Sequence, residues 1–331
     1  MRQSMYFKKQ GRDYILMDHH ADKPSSSYLY TYVCHEDEVP LCLLELRSLF
    51  EVDPGHKGFL ESVRSIDVSR SPFIKQRLEI LIEGGSLDEV AREAESLQRN
   101  GETFKVIFVE AGDSLDYAAR RSVERQIGSH IRGQAEMRKP DRMYGIAYTG
   151  ERWVLGPCTK NEALWLRHNQ KPQNYSTALS TRVARAVANI AIPQPAGKKA
   201  IDPCCGIGTV LIEALSMGVD IIGRDINPLA VRGARANLTH FGFPDVVAIG
   251  DIRTHPGHYD AAIIDLPYNL CSVLPAEEQL EMLQSARRLA AKVVVIATEV
   301  IDEAITLAGF TIVDRCVVKK GTFVRHVIVG I

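Results

Sequence analysis

The 331-residue sequence contains no apolar run near the roughly 18 residues that a membrane helix needs. Its opening residues, MRQSMYFKKQGRDY, carry no apolar signal-peptide core. Neither sign of charge prevails: 40 Lys and Arg face 41 Asp and Glu. That excludes a chain bound to polyanions by its overall charge and turns attention to local patches. The seven cysteines (34, 42, 158, 204, 205, 271 and 316) form no CxxC pair and no Cys/His ligand spacing, so neither a disulfide framework nor a metal site is expected. Internal repeats of solenoid period and low-complexity stretches are also missing. What remains is an average globular composition, 45% apolar and 24% charged. It predicts a cytoplasmic protein with reduced thiols, of a length that suits two domains.

From Lys198 onward, short apolar strands alternate with amphipathic helices. Strands are predicted at 198–202, 220–225, 246–251, 259–265 and 292–298, and helices at 208–218, 227–243, 276–290 and 300–310. Two further β-rich runs close the chain around Gly321. This alternation specifies an α/β, Rossmann-like domain over 178–331, with a mostly parallel seven-stranded sheet whose last strand is antiparallel. Residues 1–156 read as an α+β module of two small β-α-β units. Strands are expected at 26–33, 103–111 and on both sides of Thr149-Gly150, and helices at 41–50, 87–100 and 116–131. A linker is expected over 157–177.

The chemistry concentrates at the ends of the predicted strands. In IDPCCGIGTVLIEA (201–214) an acid, a Gly-x-Gly turn and a helix follow one another, the nucleotide-binding corner of an open α/β sheet. The spacing G-x-G-x-x-L and the carboxylate of Asp202 disfavour a pyrophosphate and suit a cationic amino-acid head group, which points to S-adenosylmethionine. Asp225 ends the second strand, where a carboxylate can accept both hydroxyls of a ribose. Asp251 ends the third and can reach an adenine amino group. With Gly206 and Gly208, and with Pro203, Cys204, Ile226 and Ile252 on the same loops, these acids form the expected cofactor site.

The fourth strand ends in IIDLPYN (263–269). It resembles the Asp/Asn-Pro-Pro-Tyr/Phe motif of methyltransferases that act on exocyclic amino nitrogens. Such a nitrogen is a poor nucleophile because its lone pair is conjugated to the base. Asp265 and the carbonyl of Leu266 can accept its two hydrogens, Pro267 stiffens the turn, and Tyr268 offers a stacking face for an extruded base. Leu266 stands where the motif has its first proline, which predicts a less rigid turn.

Together, DPCCGIGTVLIEA, GRDINPLAVRGARANLTHFG, GDIR and DLPY resemble the THUMP-type RNA methyltransferases that make N2-methylguanosine in tRNA. The segment KPQNYSTALSTRVARAVANIA (171–191) is similar to one that those enzymes place over the methionine end of the cofactor, which implies that Ser176 and Thr177 lie at the site; as helix caps they would have a merely structural role. Residues 103–156 resemble a THUMP domain, and 28–50 the ferredoxin-like unit paired with it. The resemblance implies tRNA as partner, no metal, and in some relatives a small activating subunit. Between Arg120 and Arg142, seven cations (Arg120, Arg121, Arg125, Arg132, Arg138, Lys139 and Arg142) outnumber three acids, a candidate phosphate-contacting surface. The alternatives are a DNA amino methyltransferase, a catalytically weakened RNA-binding factor and, opposed by the glycine spacing, a nicotinamide oxidoreductase.

Overall fold

A computed structural model describes residues 26–97, 101–112, 115–175, 178–267, 274–320 and 323–331. The N-terminal half contains β1 (Ser27–Tyr32), α1 (Val39–Phe50), β2 (Phe59–Ser62), β3 (Ile74–Ile80), β4 (Ile82–Gly84), α2 (Leu87–Glu93), β5 (Thr103–Phe108), α3 (Tyr117–His130), β6 (Gln134–Ala135), β7 (Arg142–Tyr148) and β8 (Trp153–Lys160). These strands form one eight-stranded sheet in the order β2-β1-β3-β8-β7-β5-β6, with β4 also paired to β8. The two small β-α-β units expected from the sequence are joined in this one sheet. β8 pairs with β7 and β4 through its first part and with β3 through its last, so it belongs to both. It passes between them at Gly156, where an added Cβ would lie 1.8 Å from the Glu79 carbonyl oxygen. The linker expected from 157 accordingly begins later, because Pro157–Lys160 continue the strand. β2, β3 and β4 were not expected; β3 (IKQRLEI) exposes Lys75 and interleaves Gln76, Arg77 and Glu79 among its apolar positions, which masks its period-two signal.

After a 3-10 turn at Leu164–Gln170 come α4 (Thr181–Ala191), β9 (Lys199–Asp202), α5 (Thr209–Ser216), β10 (Asp220–Asp225), α6 (Pro228–His240), β11 (Val247–Ile249), β12 (Tyr259–Asp265), α7 (Ala276–Leu289), β13 (Ala290–Ala297), α8 (Asp302–Leu307), β14 (Ile312–Lys320) and β15 (Phe323–Gly330). The sheet order is β11-β10-β9-β12-β13-β15-β14. β9 to β13 run parallel, and β15 lies antiparallel between β13 and β14. Local chemistry starts the helices: Ser180 caps α4 through Val183 N at 3.3 Å. Asn227 caps α6 through Leu229 N at 2.9 Å, and Pro228 occupies its first turn, where no amide donor is needed. No helix among the described residues is long and apolar enough to cross a membrane.

The two halves share a core. Leu41, Leu44 and Phe50 of α1 cluster with Val183, Val187 and Ile190 of α4 and with Cys316 and Val318 of β14. Several polar side chains at this junction bond across it. Arg185 donates to the carbonyls of Ser69 and Arg70 (2.7 and 2.8 Å) and to Glu213 Oε2 (2.7 Å), and Arg47 forms a bidentate pair with Asp314 at 2.9 Å. Such contacts fix the N-terminal module against the second sheet instead of leaving it on a flexible tether.

Candidate active site

Strand order reverses between β9 and β12, and ligands of open α/β sheets settle at the carboxyl ends beside such a reversal. Asp202 ends β9 and Asp265 ends β12, so these two acids stand on either side of it. Asp202 is buried and accepts the amide of Cys204 at 3.2 Å. Burial raises its pKa well above the usual carboxylate range, with the neighbouring Asp265 and Asp225 adding to the rise. Asp265 is pushed up to about 7 by burial, opposed by the charge of Arg325. Among the described residues its Oδ1, like the buried hydroxyl of Thr209, has no hydrogen-bond partner. Polar atoms left without a partner in a buried wall await a donor from outside.

The glycine turn wraps this corner. Gly206 (φ +51°) and Gly208 (φ +78°) adopt left-handed backbone that side chains strain to reach. At Gly208 a Cβ would also press to 3.2 Å from that of Ala234. α5 starts directly after Gly208 with no side-chain cap. Asp225 Oδ2 accepts the amide of Gly206 and Oδ1 that of Asn227, both at 2.8 Å. The acid at the end of β10 therefore shapes the glycine turn, and each oxygen keeps a lone pair for another donor. Asp251 accepts the Arg253 guanidinium at 2.6 and 2.9 Å, which holds its pKa below the ordinary value. Burial raises the Cys204 and Cys205 thiols, so both stay protonated.

Two adjoining cavities occupy the crevice, of about 160 and 420 Å³. The smaller is walled by Tyr175, Leu179, Asp202, Gly206 and Thr209; the larger by Asp225, Ile226, Asp251, Ile252, Glu278 and Met282. Asp265 and Pro267 line both. Ser176, Thr177 and Tyr268 lie outside the described residues, although Tyr175 and Ala178 on either side of the first two face the smaller cavity. Leu266, expected to stiffen the turn less than a proline, has a tether of its own. Its amide donates to the Ile296 carbonyl at 3.0 Å, a bond that proline could not make, and its side chain is buried. Tyr175, Thr209, Glu278 and Met282 were not anticipated. Glu278 and Met282 stand one helical turn apart on α7, a signal too common in amphipathic helices to mark a site.

The basic segment is less free than its composition suggests. Arg120 pairs with Glu110, Arg121 with Glu124, Arg132 with Glu95 and Arg142 with Glu102. Arg125, Arg138 and Lys139 enter no ion pair among the described residues. Trp165 is buried beneath Arg182, whose guanidinium carbon lies 5.2 Å from its ring, and Trp153 packs against Tyr148.

Carboxylates and unpartnered acceptors line the crevice where a pyrophosphate-binding site would present cations. This donor set fits a ligand with a cationic amino-acid end and a nucleoside end, the class of S-adenosylmethionine-dependent methyltransferase domains. Residues 168–299 match the model of the UPF0020 family, described as an RMKL-like methyltransferase domain. The chain is similar to the tRNA (guanine(10)-N2)-dimethyltransferase of Methanothermobacter thermautotrophicus, with 29% identity over 265 residues, 72% of this chain and 77% of that one. The protein of the same name from Pyrococcus abyssi is 31% identical over 170 residues, 47% of this chain and 50% of that one. The U6 snRNA (guanine-N(2))-methyltransferase THUMPD2 of Bos taurus is 26% identical over 192 residues, 55% and 37% of the two chains. Among solved structures, TrmN from Thermus thermophilus superposes with a TM-score of 0.46 at 19% identity, covering 92% of this chain and 99% of that one.

Proposed function

We propose that the chain transfers a methyl group from S-adenosylmethionine to the exocyclic N2 amino group of a guanosine in RNA, with tRNA as the substrate class. The observation that carries this reading is the position of Asp265: a half-buried carboxylate at the switch point that lines both cavities and has a buried oxygen, Oδ1, unpartnered among the described residues. The relatives named as guanine-N2 methyltransferases of tRNA and U6 snRNA support the choice of nitrogen and of RNA.

S-adenosylmethionine supplies an electrophilic methyl on a cationic sulfur, and the pair of the breaking carbon–sulfur bond stays on sulfur as the nitrogen–carbon bond forms. Asp202 and the turn of Gly206 and Gly208 would hold its amino-acid end; Asp225, Asp251, Ile226 and Ile252 would hold the nucleoside. Asp265 accepts a hydrogen from the target amino group, which draws the nitrogen lone pair out of conjugation. It then balances the positive charge that develops on nitrogen. The proton leaves to the Asp265 carboxylate or to water, so no stronger base is required. The N-terminal module, fixed against the catalytic sheet, would carry the RNA at a set distance from Asp265, with Arg125, Arg138 and Lys139 as candidate phosphate contacts.

The test is incubation of the protein with methyl-labelled S-adenosylmethionine and unmodified tRNA, then nucleoside analysis. Label in N2-methylated guanosine is the expected result. Label appearing instead in N6-methyladenine of duplex DNA would overturn the RNA reading, and cofactor binding without transfer to any nucleic acid would leave an RNA-binding factor.

A further inference from the structure

We propose that Arg325 of β15 is a positioning residue for methyl transfer, supplying from two strands away on the same face of the sheet the cation that faces the Asp265 carboxylate and keeps it aimed at the incoming amino group. The inference rests on the function proposed above and adds a residue to that site. Register places the two groups together. Asp265 of β12 is level with Ile296 of β13, and Ile296 with Val327 of β15. Because side chains alternate, Asp265, Ile296 and Val327 share one face, and Arg325, two residues from Val327, shares it too. It is the face packed by α4, since Ile263, Val294, Ile296, Val327 and Val329 all join the core cluster that contains Val183 and Val187. β15 runs antiparallel, so its first residues lie at the carboxyl edge of the parallel strands, where the crevice opens.

Position 325 breaks an otherwise apolar series with Val327 and Val329, and the arginine is 8% exposed. A cation buried so deeply is costly unless an opposite charge answers it. Asp202 on β9 lies within the fields of Asp265 on β12 and Asp225 on β10, with the uncharged thiols of Cys204 and Cys205 beside them. Arg325 is the cation whose field reaches Asp265. Its guanidinium carbon sits over the Phe323 ring, 4.6 Å from the ring centre, a cation–π contact that favours this placement. A carboxylate held in its charged form accepts most strongly from the amino group and balances the charge that develops on nitrogen. Burial alone works against that form, and Arg325 works for it.

The experiment follows the Asp265 carboxyl carbon by NMR titration of 13C-aspartate-labelled protein, assigned with Asp265→Asn, in the native chain, Arg325→Met and Arg325→Lys. In Arg325→Met the midpoint is expected to rise by about one pH unit. The acid limb of kcat should rise with it, so that turnover at pH 7 falls about fivefold while the KM for RNA stays near its native value. Arg325→Lys, which keeps the charge, should restore most of both. A fall in turnover with an unmoved midpoint would make Arg325 merely structural and overturn the proposal. Should Arg325→Met fail to fold, Phe323→Leu, which removes the ring that holds the guanidinium, gives the same test: a raised midpoint is expected, and an unchanged one overturns the proposal. A moved midpoint in a native chain that methylates no RNA would sink the proposed function and leave the charge coupling standing.

Discussion

Glu45 of α1 and Asn189 of α4 meet across the junction of the two halves: the Asn189 amide donates to Glu45 Oε1 at 2.6 Å, and solvent reaches neither side chain. The Ser71 hydroxyl donates to the other carboxyl oxygen. Burial outweighs these bonds and the nearby charges of Arg185 and Arg70, and pushes the Glu45 pKa up to about 7. A carboxyl raised on folding contributes stability that is complete below its unfolded value of about 4.3 and is lost as pH climbs through the folded value. Between pH 5 and 8.5 the native chain should therefore lose stability relative to Glu45→Gln, by at most about 3 kcal/mol. Urea unfolding of both proteins across that window measures it, and a constant difference between them would refute it.

Asp265→Asn should separate chemistry from cofactor binding. The amide keeps the shape and one acceptor but cannot balance charge on the target nitrogen, so single-turnover methyl transfer should fall about 100-fold or more. Calorimetry should give nearly unchanged affinity for S-adenosylmethionine. Turnover near the native rate would remove Asp265 from the catalytic role.

Asp225 shapes the glycine turn through Gly206 and is placed to accept ribose hydroxyls, so Asp225→Ala loses both. Affinity for S-adenosylmethionine and S-adenosylhomocysteine should drop by about 10- to 100-fold, the range expected when charged hydrogen bonds are removed. Asp225→Asn, which retains an acceptor, should fall between. Calorimetric titration of the three proteins decides it.

Gly156→Ala tests the strand shared by the two parts of the N-terminal sheet. The new methyl would lie 1.8 Å from the Glu79 carbonyl oxygen, so the ladder must part there. A loss of about 3 kcal/mol or more, or failure to fold, is expected. Gly85→Ala, whose Cβ would lie 3.9 Å from the flexible Glu89 side chain, should stay within about 1 kcal/mol of the native protein. Thermal melts of the two variants provide the comparison.

Charge reversal on the N-terminal module should grade by ion pairing. Arg138→Glu with Lys139→Glu should weaken tRNA binding across sequences and lower the salt slope by roughly one for each phosphate that is no longer neutralised. Arg142→Glu would in addition break the pair with Glu102 and lower stability. Filter binding at several salt concentrations, set beside melts, separates the two effects; equal affinity in all of them would clear this surface of an RNA role.

Much of the catalytic half was legible in the chain alone. Alternating strand and helix patterns gave its order, and the acids at 202, 225, 251 and 265 each followed an apolar run, so their place at the carboxyl edge followed from local periodicity. Leu266 shows where that reading stops. Its identity promised a looser turn, yet the bond from its amide to Ile296 depends on β13 lying beside β12, which no local pattern encodes.

The sequence by itself determined the elements whose signals are local: period-two and helical runs, caps such as Asn227, and glycines forced into left-handed backbone. The tertiary structure alone decided that β8 serves both parts of the N-terminal sheet, that Glu45 and Asn189 are buried together, and that Arg325 faces Asp265. Each of these joins residues distant in the chain, and their pairing is set by how sheets and helices bury their apolar faces against one another, a property of the packed whole rather than of any segment.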